Sequence, residues 1–427
     1  MNCAELGADI DKLKQELQAL EKGVKKVRES EEHNKWLRSM MRFMDSDSAD
    51  LILEKYLKVF QEQNPEISLT ITLGERKDIR DVDGDPASVC SVAVTEDGHV
   101  LIGGFGAFYE GFCNRQEGLT LGEWVNNEST FKDPGSILSI VFDKDGRALI
   151  GGDRGLYIGS YNGHGELTLD RRVDIRGANG TLESVRTIAI VQEGRALIGG
   201  PFGVCYECFY DGQDRLELGE RIDVEDAYGR PASINSVVAV NNGHILIGGA
   251  SGALYMGSYN DEGKLILGDR VDIRADNGNP VTVISVAAIG DRRVLIGDRL
   301  NGMLYEGSYD DSGKLELGDR VDIGNDDGGI VGVDSITVTK DGRVLIGESN
   351  GALYVGSYND DGKLILSDRI DVMDANGGPA DIESIAVMNE GDVLIGGRNG
   401  ALYAGSFNSS LEALKRHLPG IIEKGEA

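Results

Sequence analysis

Residues 335–366 read SITVTKDGRVLIGESNGALYVGSYNDDGKLIL, and this stretch decides the fold. Its opening run, Ser335-Ile336-Thr337-Val338, is short, apolar and β-branched, as a strand would be. Lys340-Asp341-Gly342 supplies the Asp-Gly pair that tight hairpins favour. Val344 to Gly347 forms a second strand, Ser349-Asn350-Gly351 a turn, and Ala352 to Tyr358 a third strand. After Asn359-Asp360-Asp361-Gly362, a fourth strand runs from Lys363 to Asp371. These strands are labelled A to D, and together they predict one antiparallel blade.

The unit recurs. Strand A opens with Ser or Thr at Ser91, Ser139, Thr187, Ser236, Ser285, Ser335 and Ser384, a period of 48–50 residues. Each time, strand B follows and ends in Leu-Ile-Gly, from Leu101-Ile102-Gly103 to Leu394-Ile395-Gly396. Such a period belongs to propeller blades. Strands B and C are apolar on both pleat faces, so both faces need cover, and neighbouring blades provide it. An open sheet or a sandwich would show alternation instead.

The seventh repeat stops after strand C, Ala401 to Phe407. Its missing strand D stands at the other end of the chain. Ile71-Thr72-Leu73-Gly74-Glu75-Arg76-Lys77-Asp78-Ile79 matches Leu265-Ile266-Leu267-Gly268-Asp269-Arg270-Val271-Asp272-Ile273. The expected fold is therefore a mainly β, seven-bladed β-propeller over residues 66–407, whose N-terminal strand closes the last blade and removes an open edge.

Composition fits this reading. Sixty glycines against 8 prolines in 427 residues point to many tight turns. The net charge is −29; residues 1–65 carry about −2 and 408–427 about zero, so the propeller region holds nearly all of it. Such acidity disfavours nucleic acid and anionic membranes and suits a soluble protein or a partner with a basic surface. No eighteen-residue apolar run predicts a membrane span, the N-terminus lacks a signal-peptide pattern, and the five cysteines are unpatterned. A reducing cytoplasm is the expected setting.

The ends read as helix. In 1–65, Ile10, Leu13, Leu17, Leu20, Val24 and Val27 step by three and four, a seam for a second helix or for self-association through residues 10–27. Ser409-Ser410-Leu411-Glu412 opens a short helix in 408–427 with a capping box. Both helical ends are expected beside the A–B and C–D turns, leaving the opposite face free.

Repeated residues read first as framework. The strand-C tyrosines Tyr109, Tyr157, Tyr206, Tyr255, Tyr305, Tyr354 and Tyr403 suit a core position with a bonded hydroxyl. Strand-D pairs such as Arg270 with Asp272 and Arg320 with Asp322 predict ion pairs between blades, and Trp124 breaks that pattern in blade 1. The acidic D–A loops Asp81-Val82-Asp83-Gly84-Asp85, Asn325-Asp326-Asp327-Gly328 and Asp374-Ala375-Asn376-Gly377 offer calcium its preferred oxygen ligands. They lack a calcium-loop spacing, and Asx turns explain them as well. Cys205 and Cys208, three apart on a strand, point to opposite faces and make no half of a zinc site. The five scattered histidines suggest no catalytic set, so no cofactor is expected.

The rim of the free face varies where the framework does not. In the B–C turns stand Phe105, Arg154, Phe202, Ser251, Leu300, Asn301, Asn350, Arg398 and Asn399. Just before strand A stand Cys90, Leu138, Arg186, Asn235, Ile284, Asp334 and Glu383. From these we select Phe105, Arg154, Arg186, Phe202, Asn235, Leu300, Asn301, Asp334, Asn350, Glu383, Arg398 and Asn399 as candidate partner-binding residues. Relaxed constraint on turns would produce the same variety.

The strand-B ending Leu394-Ile395-Gly396-Gly397 followed by a tyrosine-bearing strand C resembles kelch repeats. The pattern over 341–354 also resembles the propeller repeats of two-component regulator sensors. The late Trp of kelch and the Gly-His and Trp-Asp marks of WD40 repeats are absent. The resemblance covers 66–407 and implies a propeller with a general binding role. A non-enzymatic protein-interaction scaffold is the first expectation. A glycan- or small-molecule-binding propeller and a propeller lyase or hydrolase are the alternatives.

Overall fold

In a computed structural model of the protein, these short apolar runs form seven antiparallel sheets. The structure describes residues 71–407 except 115–117, 126–134, 154, 162–166, 212–214, 241–242, 291, 322, 324–330, 360, 368 and 389–391. The helical segments expected in 1–65 and 408–427, the 10–27 seam included, lie outside the described residues. The chain divides into two compact units; one, Ile71–Ser357 with Leu366–Phe407, carries the propeller, and the other includes the described turn Tyr358–Ile365.

The seven A strands are Val89–Val94, Ile137–Phe142, Thr187–Gln192, Ile234–Ala239, Val283–Ile289, Val333–Val338 and Ile382–Val387. Each touches the A strand of the next blade, and Ile382–Val387 touches Val89–Val94, so the A strands close an inner ring. The borrowed strand is in place. Ile71, Thr72 and Leu73 pair antiparallel with Phe407, Ser406 and Gly405, and Lys77–Asp78 continues beside Leu402 and Ala401. The chain thus enters and leaves the propeller at the same edge of blade 7.

Strand B is buried along nearly its whole length because both faces meet a neighbour, as in Ala148–Gly152 and Val344–Glu348. Apolar clusters lie between blades: Leu149 and Ile158 of blade 2 pack with Ile188, Ile198 and Cys208 of blade 3. Cys205 belongs instead to the cluster between blades 3 and 4, so the two cysteines do face opposite ways.

The glycine of Leu-Ile-Gly sets the blade spacing. A Cβ on Gly103, Gly151, Gly199, Gly248, Gly297, Gly347 or Gly396 would come no farther than 2.8 Å from a γ-carbon of the next blade. The atoms belong to Ile137, Val185, Ile234, Val283, Val333, Ile382 and Val89, each two residues before the Ser or Thr of strand A. Every blade therefore presents a notch, and every following blade a β-branched knob. The last notch, Gly396, receives the first knob, Val89.

Three sets of polar contacts reinforce the junctions. The strand-A hydroxyls of Ser91, Thr187, Ser236, Ser285 and Ser384 accept from the backbone N–H of Ile140, Val237, Val286, Ile336 and Val92 in the next blade, at 2.9–3.1 Å. The strand-C hydroxyls of Tyr109, Tyr206, Tyr255 and Tyr403 donate to the carbonyls of Arg80, Arg176, Glu225 and Met373 in the preceding D–A loop. At the other end of the blades, a basic residue at the start of strand B stacks on the aromatic ending the next blade's strand C. His99 lies 4.4 Å from Tyr161, Arg195 4.0 Å from Tyr259, and Arg343 3.7 Å from Phe407.

The strand-D pairs differ from expectation. Arg270 pairs with Asp272 of its own strand at 3.0 Å and crosses between blades through Nη1, which donates to the Asp226 carbonyl. A bulge in strand D sets Arg270 opposite Tyr255, and the carboxylate two residues on is then its nearest anion. Arg320 does make an ion pair across blades, with Asp276 at 3.1 Å; Asp322 lies outside the described residues.

The notch is open to test. Gly347→Ala should lower the unfolding free energy by about 1–3 kcal/mol, because the new methyl overlaps Ile382 in a packed core. Asp261→Asn on an exposed turn should change it by less than about 0.5 kcal/mol in urea denaturation.

Candidate functional site

The D–A loops and B–C turns share one face. Within it, the rim residues preceding strand A are bulge residues inside that strand. The register slips between Val89 and Ser91, Ile137 and Ser139, Ile234 and Ser236, Val283 and Ser285, Val333 and Ser335, and Ile382 and Ser384. A bulge turns one side chain out of the ladder. It therefore places Cys90, Leu138, Asn235, Ile284, Asp334 and Glu383 in a ring at the mouth of the inner channel. Arg186 occupies the equivalent position just ahead of Thr187 and reaches Asn235 of the next blade at 3.4 Å.

The candidates separate into three groups. Phe105, Phe202 and Leu300 are exposed by more than half, as are Val82 and Tyr228 of the D–A loops, where Leu182 and Met373 are exposed to a lesser degree. Only Phe112, Phe209 and Ile266 are comparably exposed elsewhere among the described residues. A second group serves the fold: Asn301 donates to Asp298, Asn399 to Asp374, Asn235 to the Val283 carbonyl, and Asn350 accepts from the Ala352 N–H. The third group, Asp334, Glu383 and Arg398, is gathered at the mouth. Arg154 lies outside the described residues.

Phe202 is held in an unusual conformation. Its φ is 50° and that of Gly203 is 75°, with the Val204 N–H bonded to the Pro201 carbonyl. Left-handed geometry at both central residues is the type I′ hairpin, which favours Asn-Gly. Blade 7 has that pair, Asn399-Gly400; blade 3 has a phenylalanine instead. A bulky residue here carries strain of order 1 kcal/mol.

The mouth is charged around blades 6 and 7. Arg398 donates to Glu383 at 2.9 Å and lies 3.0 Å from Asp381. Asp334 is 8% exposed, and neither carboxylate oxygen accepts a hydrogen bond; Arg299 Nε stands 3.6 Å away. Burial pushes Asp334 up to about 6; Arg299 opposes this and Asp381 and Glu383 add to it. Glu348, 3% exposed with Oε2 unbonded, is pushed up to about 7 by burial, against Arg369 and Asn350, with Asp334 adding its repulsion. Burial, then Glu383, holds the nearby Cys90 thiol protonated.

Glu348, Asp381 and Arg299 do not stand out in a single repeat. Their signal is comparative. Five blades end strand B in Gly-Gly, but blade 5 has Gly297-Asp298 and blade 6 Gly347-Glu348. A Cβ at Gly104, Gly200 or Gly249 would strike the carbonyl of Ser88, Ser184 or Ser233. The clashing atom is a backbone carbonyl, so an acid at this position requires a different backbone path; the facing residues in those two blades are Thr282 and Gly332.

The acidic loops spend their carboxylates on themselves. Asp81 Oδ1 accepts from the N–H groups of Asp83 and Asp85, and Asp374 Oδ1 from those of Asn376 and Gly378. These are the Asx turns weighed against calcium; the 325–328 loop lies outside the described residues. Among the described residues, no group of three His, Cys, Asp or Glu could hold a metal ion.

No family model matches the chain, and no curated protein matches it in sequence. In fold it is similar to the extracellular domain of BT4673 from B. thetaiotaomicron, with TM-score 0.51 and 17% identity over 78% of this chain. The match covers 40% of that domain. It is also similar to the WD40 β-propeller domain of Doa1, with TM-score 0.52 and 16% identity over 80% of this chain and 98% of that one. At these identities the likeness is one of fold, and it supports the resemblance to propeller repeats.

The buried acids set the pH dependence of stability. Both are raised above the ordinary carboxylate range, so the native state keeps protons that the unfolded chain has released. Stability should therefore fall as pH rises from about 4 through 7. Asp334→Asn should match the unaltered protein near pH 4 and exceed it at pH 8 by on the order of 2 kcal/mol in urea unfolding.

Proposed function

We propose that this protein is a non-enzymatic interaction scaffold whose D–A and B–C face docks another protein. The observation that carries the reading is Phe202, an exposed phenylalanine in a strained turn position that asparagine fills better. More than half of its surface stays in solvent, and strain kept at an exposed aromatic is a mark of a binding residue. Phe105, Leu300 and Tyr228 are further exposed apolar side chains of the same face, and the acids charge one side of its mouth. A rim that differs from blade to blade suits one asymmetric partner. A glycan-binding propeller with one site per blade would need a repeated polar rim instead. The free thiols Cys90, Cys113, Cys205 and Cys208 accord with a reducing, cytoplasmic setting.

A second reading rests on Asp334 and Glu348. Carboxyls that titrate near neutrality are suited to general acid chemistry, as a propeller lyase or hydrolase would require. Substrate turnover lost on either Asp334→Asn or Glu348→Gln would favour it over docking.

The scaffold reading is tested by affinity capture with the full chain and with a Phe105→Ser, Phe202→Asn, Leu300→Ser variant. The expected outcome is a protein retained by the first and released by the second, with affinity reduced at least about a hundredfold. Phe202→Asn alone should raise stability by about 0.5–1 kcal/mol, so the loss would not come from unfolding. Capture that does not distinguish the two proteins would overturn the reading.

A further inference from the structure

We propose that the acidic sector of the channel mouth, centred on Asp334 with Asp381, Glu383 and Glu348 around it, takes the cationic end of one lysine or arginine side chain. The inference rests on the docking reading and names the chemistry the partner would present there.

Three observations carry it. The first is an unmet need. The Asp334 side chain is 4% exposed, yet its carboxylate accepts no hydrogen bond, and Arg299 Nε at 3.6 Å lies beyond bonding distance. A buried carboxylate left in this state is costly, and a cationic donor is the partner that relieves it most. The same ring position in blade 4 shows the satisfied alternative, Asn235, whose amide donates to the Val283 carbonyl.

The second is the local charge. Four carboxylates face three guanidiniums, and Arg398 is already engaged with Glu383 and Asp381. Arg369 faces Glu348 but is bonded to Asp371. Arg299 is the described cation at ion-pair distance from Asp334, and at 3.6 Å it does not hydrogen-bond it. A metal ion fits less well than a side chain, because the described residues offer no three-ligand group.

The third is position. Asp334 is the bulge residue of its blade, turned toward the mouth. Leu300, 63% exposed, follows Arg299 in the adjoining turn and offers an apolar surface to the stem of a long basic side chain. The corresponding residues of blades 1 to 5 are Cys90, Leu138, Arg186, Asn235 and Ile284, so the ring holds this acid only on one side.

Arg299, Arg398, Asp381, Glu383 and Glu348 are the charged groups facing Asp334. Below about pH 6 Asp334 and Glu348 hold protons and the attraction for a cation weakens, so binding should strengthen as pH rises from 5.5 to 7.5.

The test is calorimetric titration of the full chain with Nα-acetyl-lysine methylamide, its arginine counterpart and the neutral norleucine analogue. One basic probe should bind saturably at one site and norleucine should not. Asp334→Asn, or a shift to pH 5.5, should weaken binding about tenfold or more, and Asp261→Asn should leave it unchanged. The pH arm needs no variant, and a melting midpoint for Asp334→Asn at or above that of the unaltered protein shows that it folds. Absence of saturable binding, equal binding by Asp334→Asn, or displacement of the probe by one equivalent of calcium would overturn the proposal. Protein capture that depends on Phe202 but not on Asp334 would overturn this site and leave the docking reading standing. Probe binding without any captured protein would keep the site, as one for a free amine, and overturn the docking reading.

Discussion

At each junction between blades, a β-branched side chain enters the space that a Cβ would fill on the glycine ending Leu-Ile-Gly. Seven such junctions close the ring, from Ile137 in the notch of Gly103 to Val89 in the notch of Gly396. The close approach brings neighbouring A strands near enough for Ser91, Thr187, Ser236, Ser285 and Ser384 to accept backbone N–H bonds across the gap. It also brings the strand-C tyrosines within reach of the preceding D–A loops, and basic residues such as Arg195 over the next blade's aromatic. Each of these contacts is worth about 1 kcal/mol. All of them presuppose the spacing that the missing methyl allows.

A frame this uniform leaves the D–A and B–C face freer to diverge, because the notches and strand-A hydroxyls already hold the blades and only a few of its side chains, such as Asn235, bond across them. The divergence has a stability cost. Phe202 keeps left-handed geometry that Asn399 adopts more readily at the same place, and Asp334 is buried without a hydrogen bond. Asp298 and Glu348 stand where the other five blades have glycine packed against a facing backbone carbonyl. The departures from regularity fall on the face whose residues differ among blades, as expected where binding and folding compete.

Much of the fold was legible in the residues. The period, the strand order and the match of Ile71–Ile79 to Leu265–Ile273 identify seven blades and a borrowed strand, because each rests on local patterns repeated many times. The knob-and-notch pairing was not legible, since it joins residues about 34 positions apart that touch only when blades stack. The inter-blade reading of Arg270 and Asp272 failed for a similar reason, as a strand-D bulge that no pattern announces sets Arg270 opposite Tyr255 and beside the carboxylate two residues on. At the candidate site, exposure of Phe105, Phe202 and Leu300 followed from turn positions. Asn301, Asn350 and Asn399 looked variable but proved to be bonded, the first two within their own turns and Asn399 to Asp374 of the D–A loop. Glu348 was hidden by a framework position and stands out only when the seven strand-B endings are compared.

The borrowed strand and the seven notches make one closed, cooperative ring rather than a stack with a weak end. Ile71 is 6% exposed and lies in the cluster between blades 6 and 7. Native-state hydrogen exchange on an Ile71→Asp variant, read blade by blade, tests the claim directly. Closure predicts that opening free energies fall together in all seven blades, including blades 3 and 4 across the ring. A drop confined to blade 7, with the other six unchanged, would contradict it.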